Sequence, residues 1–116
     1  MRPLPDFSVD VRRHPGAVVV APRGDVDMAT VEQVRAACEA SGSRLVLDLR
    51  GVEFLDTSGL NLILEQQRLA DADGLSFTVV RGPQHVQRLF DIAGLNHRLH
   101  FVADPAEALR DGQPGG

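Results

Sequence analysis

Apolar and polar residues alternate from the start: Phe7, Val9 and Val11 against Ser8, Asp10 and Arg12. A period of two predicts a half-buried strand. His14-Pro15-Gly16 is a turn signal, and Ala17–Ala21 reads as the return strand of a hairpin, which Pro22 ends or places at an edge. Arg23-Gly24-Asp25-Val26-Asp27 reads as a polar loop. Val31, Val34, Ala37 and Cys38 then share one helical face. Thr30 with Gln33 has capping-box spacing, Asp27 is the alternative N-cap, and Ser41-Gly42 is the expected stop.

Leu45, Val46, Leu47 and Leu49 form a near-continuous apolar run, the pattern of a central strand covered on both faces. A second cluster, Val52, Phe54 and Leu55, runs into Asp56-Thr57-Ser58-Gly59. A helix is predicted over Leu60–Ala72, with Leu62, Ile63, Leu69 and Ala70 on its inner stripe and Gly74 at its end. Leu75, Phe77, Val79 and Val80 predict another strand, which Gly82-Pro83 breaks, with Pro83 suited to the first turn of a helix. Val86, Leu89, Phe90 and Ala93 recur at helical spacing before Gly94. Leu99, Phe101 and Val102 are a short extended segment, and Asp104-Pro105 starts a last helix with Ala106, Ala108 and Leu109.

The order β-β-α-β-α-β-α-(β)-α predicts an α/β domain. Its mixed sheet has about four or five strands, with about four helices packed mainly on one face and right-handed crossovers between them. One domain is expected over residues 7–110, after an N-terminal extension at 1–6. The glycine-rich segment 111–116 is expected to be a disordered tail.

Composition narrows the function. The chain of 116 residues is long enough to bury a core without staples. Its net charge is −4, every basic residue apart from His is Arg, and no basic cluster occurs, which argues against nucleic acid. With Cys38 alone, no intramolecular disulfide or Cys-rich metal site is possible. No apolar run approaches the roughly 20 residues of a membrane span, and the opening residues lack a signal-peptide core. A cytoplasmic protein without a membrane role is expected.

The most specific chemistry is Asp56-Thr57-Ser58-Gly59: two hydroxyls beside a carboxylate at a loop-to-helix junction. By spacing alone, Asp56 or Thr57 is an ordinary N-cap. Elsewhere, His97 and His100 read as surface histidines with no third ligand nearby, and Cys38 reads as core. Asp25-Val26-Asp27 matches the Asp-x-Asp of haloacid dehalogenase phosphatases, but that chemistry needs a later Lys, and the chain has none. There is no P-loop and no nucleophile elbow. An enzyme is not expected, and neither a cofactor nor a metal.

Four segments in order resemble the STAS domain of bacterial anti-sigma factor antagonists. They are Arg23–Asp27, Leu45–Leu49, Phe54-Leu55-Asp56-Thr57-Ser58-Gly59-Leu60 and Val86–Leu95, and the likeness covers Phe7 to about Leu109. The resemblance implies a phosphoacceptor directly after the aspartate, at Thr57, where the family normally has Ser; Ser58 is the second candidate. It implies a docking surface of Asp25, Asp27, Asp56, Thr57, Ser58, Gly59 and Asn61. The implied partners are an anti-sigma factor with serine-kinase activity and a phosphatase that resets the switch, and the implied state is a monomer. The alternative is a STAS subunit of a lipid-transporting ABC complex, where Asp-Thr-x-Gly-Leu also occurs. At the helix start, free N–H groups are expected to cradle part of the added phosphate.

Overall fold

A computed structural model describes residues 7–40 and 44–111. The expected extension at 1–6, the Ser41-Gly42 stop and the tail beyond 111 lie outside the described residues. Within them the chain runs β1 (Ser8–His14), β2 (Ala17–Val26), α1 (Val31–Glu39), β3 (Arg44–Asp48), β4 (Val52–Leu55), α2 (Thr57–Asp73), β5 (Phe77–Val80), α3 (Gln84–Ile92), β6 (Phe101–Val102) and α4 (Pro105–Asp111). The sheet order is β1-β2-β3-β5-β6, with β4 paired to β2. Only β1 and β2 run antiparallel. The α/β architecture with a mixed sheet is as expected, with β4 as an added strand.

Alternation along the central strands sorts the core into two layers. Val18 and Val20, Leu45 and Leu47, and Phe77 and Val79 pack with Val34, Ile63 and Phe90 of α1, α2 and α3. Val19, Val46, Val80 and Val102 face the other way, against Ala108 and Leu109 of α4. Three helices therefore cover one face and a single short one the other.

β2 is longer than its pattern predicts. It continues through Pro22, which is buried, and takes in most of the expected loop at Arg23–Asp27. The reason is a change of partner. β2 pairs with β3 from Ala17 to Val20 and with β4 from Gly24 to Val26. The Gly24 N–H points to the β4 side and donates to Gly51 O at 2.9 Å. Pro22, two residues earlier, has its nitrogen on that same side, in the gap between partners, where no ladder bond is lost.

β4 carries a register shift against Gly24 and Asp25, so Glu53 and Phe54 are both exposed and the strand shows no clean alternation. α2 starts three residues before the predicted Leu60. Its buried stripe is Leu62, Ile63, Gln66 and Ala70, whereas Leu69, expected inside, is 46% exposed. Gly74 closes α2 in the left-handed conformation (φ 68°). Pro83 is the N-cap of α3, not a residue of its first turn, and Ala93 is its exposed C-cap. Leu75 precedes β5 and is exposed.

Candidate docking and phosphoacceptor site

Two parallel strands end level with each other: Val26 of β2 pairs with Leu55 of β4. The next residues are Asp27 and Asp56, and the Asp56 N–H donates to Val26 O at 3.2 Å. Asp27 leads into α1 and Asp56 into α2. The sheet thus brings the two acidic segments side by side at the C-terminal ends of its strands.

Asp56 is the N-cap of α2, with extended backbone. Its Oδ1 accepts from Ser58 N at 2.8 Å and from Gly59 N at 3.3 Å, and its carbonyl accepts from Leu60 N at 3.1 Å. Of the four amides that open the helix, the Asp56 carboxylate satisfies two, Ser58 and Gly59, and Val26 O takes that of Asp56 itself, while the Leu60 bond is the first of the regular helix ladder. That narrows one expectation. The Ser58 and Gly59 amides cannot cradle a phosphate on Thr57 unless the Asp56 carboxylate first leaves them, and the Thr57 amide is the one left without such a partner.

Thr57 is the first residue of α2 and is exposed; its hydroxyl makes no hydrogen bond with any described residue. Ser58 is half-buried, and Asn61 is exposed one turn beyond Thr57 on the same side of the helix. Gly59, expected on the docking surface, is buried beneath it. A Cβ there would lie 2.3 Å from Leu55 Cδ1 and 3.1 Å from Val26 Cγ1, so any other residue would force these buried side chains to give way, and glycine lets the first turn of α2 sit this close to the strand ends.

The β2–α1 junction uses the same residue types differently. The Asp27 carboxylate accepts from Ala29 N at 2.9 Å. The Thr30 hydroxyl turns back to the strand end, donating to Asp25 O at 2.6 Å and accepting from Asp27 N at 3.0 Å. Neither side chain forms the expected capping box with Gln33. Asp25 is exposed, and Asp27 is half-buried. No salt bridge among the described residues engages Asp25, Asp27 or Asp56, so the three carboxylates give this end an acidic field.

Two apolar side chains border the site that periodicity did not single out as surface groups. Met28, in the turn after Asp27, is 82% exposed. Phe54, opposite Asp25 in the β2–β4 register, is 50% exposed. The available signal was the position of each beside an acidic residue at a strand end, where a core side chain has nothing to pack against.

A family model described as the Mlab STAS domain matches residues 9–103. The chain belongs to the STAS domain family. Among curated relatives, this STAS domain is 30% identical over 111 residues to an anti-sigma F factor antagonist of Paenibacillus polymyxa, covering 91% of this chain and 95% of the relative. Among solved structures, it superposes on an anti-sigma factor antagonist from Mycobacterium paratuberculosis with a TM-score of 0.77 at 26% identity, over 92% of this chain and 94% of the other. It also shares the fold of the Bacillus cell fate determinant SpoIIAA, solved in a phosphorylated form, with a TM-score of 0.69 at 21% identity over 93% and 100% of the two chains. The STAS motif around Asp56 falls on the geometry just described: a carboxylate that caps, a free hydroxyl after it, and a glycine packed underneath.

Among the described residues, no group of three or more His, Cys, Asp or Glu is placed to hold a metal, and no helix is long and apolar enough to cross a membrane.

Proposed function

We propose that this STAS domain is an anti-sigma factor antagonist that binds an anti-sigma factor with serine-kinase activity and is switched off by phosphorylation of Thr57. One observation carries the choice of residue. Asp56 has taken over the capping role, which leaves the adjacent Thr57 hydroxyl exposed and without a hydrogen bond. Ser58, half-buried one position later, is the less accessible of the two hydroxyls.

In the proposed step Thr57 Oγ1 attacks the γ-phosphorus of ATP held by the partner. The bond to the bridging oxygen breaks, ADP leaves, and the hydroxyl proton passes to a base on the partner. The new group brings roughly −1.5 to −2 charge. It stands beside Asp56, whose carboxylate already occupies the helix amides, so the added charge is poorly compensated within the domain. A partner surface fitted to a neutral hydroxyl then meets repulsion and a desolvation cost, and the complex dissociates. Hydrolysis of the phosphothreonine by a phosphatase restores the hydroxyl. The phosphorylated form of the Bacillus protein of the same fold supports this reading.

The test is a titration against the cognate anti-sigma kinase with wild type, Thr57→Ala, Ser58→Ala and Thr57→Glu. Phosphate incorporation is expected in wild type and Ser58→Ala and not in Thr57→Ala, and Thr57→Glu is expected to bind at least tenfold more weakly. Equal binding by wild type and Thr57→Glu, with no phosphate taken up, would overturn the proposal. The threonine at 57 favours a second reading, a STAS subunit of a lipid-transporting ABC complex. Neighbouring permease and ATPase genes in place of a kinase gene would decide for it.

A further inference from the structure

At the far end of the sheet from Thr57, α1 and α2 leave a cavity of about 190 Å³ above the paired residues Leu45 and Phe77. Its walls are largely apolar, and Ala70 of α2 closes one side. Leu69 and Leu75 also line it, and both are large apolar side chains left exposed, 46% and 43%. The pocket opens to solvent on one side, and its volume is of the order that holds a benzene-sized molecule, too small for a peptide helix or strand.

Four polar side chains share the lining, and of these Glu39, Asp73 and Ser76 are exposed while Gln66 alone is buried. Gln66 sits between Leu62 and Ala70 on the buried stripe of α2, only 5% exposed, and its Nε2 has no hydrogen-bond partner. A buried donor without an acceptor is costly, and native proteins rarely leave one. The terminal amide turns through a broad torsional well, so its NH₂ can be brought toward the cavity, with Oε1 taking the place it leaves. Cys38 contributes a neutral wall, because burial pushes its thiol up to about 12. The exposed carboxylates Glu39 and Asp73 stand at the rim and repel anions.

We infer that this cavity is a binding site for a small neutral carbonyl compound, whose oxygen accepts a hydrogen bond from the Gln66 amide while its hydrocarbon body lies against Leu45, Ala70 and Phe77. Apolar walls select the body, the unpaired amide selects the oxygen, and the acidic rim excludes carboxylates and phosphates. The site shares no residue with the docking end of the domain.

Two probes of one shape test it: cyclohexanone, and methylenecyclohexane, which lacks the acceptor. Each is titrated into the full chain and followed by amide chemical shifts. Saturable shifts centred on Leu45, Ala70 and Phe77 are expected, with cyclohexanone about tenfold tighter, the worth of one hydrogen bond. In Gln66→Leu the two probes are expected to bind equally. Absence of saturable shifts with cyclohexanone, equal affinity of the two probes for wild type, or a preference that survives in Gln66→Leu would each overturn the inference. The comparison within wild type decides the matter even if the variant does not fold. Neither Thr57 nor a partner protein enters the measurement, so its failure leaves the docking role standing.

Discussion

α1 and α2 begin in nearly the same way. Each follows a strand that ends at the same edge of the sheet, each is preceded by an aspartate, and each has a threonine close by. At the start of α1, Thr30 is spent internally: its hydroxyl ties the strand end at Asp25 and Asp27 to the helix. At the start of α2 the aspartate does the tying, and Thr57 is left with nothing to hold. A hydroxyl becomes available to a partner when a neighbouring group meets the backbone's demand for acceptors. On that contrast, inward groups at these junctions govern stability and Thr57 governs recognition alone.

The largest effect is expected beneath α2. In Gly59→Val the new Cβ lands on Leu55 and Val26, and the branched side chain allows no easy escape. Overpacking of this kind costs about 3 kcal/mol. Urea denaturation is expected to show a lower midpoint with little change in slope, and docking is expected to weaken as well, because the helix start must move.

pH probes the inward side of α1. The Cys38 thiol is raised from 9.0 to about 12, first by burial and then by the nearby Glu39 charge. Below pH 9 both folded and unfolded chains keep the proton, and the full stability is present. Above it only the unfolded chain loses the proton, so stability falls by about 1.4 kcal/mol per unit toward pH 12. The chain has no Tyr and no Lys, so few other groups titrate in that window. Stability at pH 10.5 is expected to be about 2 kcal/mol below that at pH 8, and Cys38→Ala is expected to flatten the profile. A flat profile in wild type would mean that the inner face of α1 is not dry.

These inward positions are also where the sequence was most legible. β3 is flanked by partners along its length, and its apolar run marked it at once. α3 shows an unbroken helical period in Val86, Leu89 and Phe90. The pattern misled where an element changes its neighbours. β2 exchanges β3 for β4 at Pro22, and a proline in that gap costs no hydrogen bond, so a residue that normally ends a strand lies within one. β4 has a bulge, so Glu53 and Phe54 break the alternation that would have announced it. On α2, hydrophobicity favoured Leu69 for the inside, yet the geometry of the stripe gave the place to Gln66. At the site, the string Asp56-Thr57-Ser58-Gly59 located the junction but left Asp56 and Thr57 equally qualified as the cap. That choice depends on how closely the turn approaches Leu55 and Val26, which is a property of packing between distant segments.

The two junctions separate in magnitude when each anchoring group is removed. Thr30→Val keeps the shape of the side chain and deletes every hydrogen bond of the hydroxyl, leaving the Asp27 N–H without its acceptor. A loss of about 1.5 kcal/mol is expected. Asp56→Ala removes the cap of α2 and is expected to cost about 1 kcal/mol, whereas Asp56→Asn costs only a few tenths. Calorimetry of the three variants under one buffer checks the order. Asp56→Ala also frees the Ser58 and Gly59 amides, so added inorganic phosphate is expected to restore part of its loss and to leave wild type unchanged.

Thr57→Val is expected to have the smallest effect on stability, within about 0.5 kcal/mol of wild type, as for exposed substitutions without an anchoring role. The variant retains the branched shape and loses only the oxygen. Under the proposed function it accepts no phosphate from the kinase, yet it still docks, because the partner surface is fitted to an uncharged group. Thr30→Val is expected to behave in the opposite way, less stable but still phosphorylated. If Thr57→Val instead lost as much stability as Thr30→Val, the hydroxyl of Thr57 would be anchoring its own helix, and the distinction between the two threonines would collapse. If both variants were phosphorylated equally, the acceptor would have to be Ser58, which would then need to turn outward from its half-buried position in the first turn of α2.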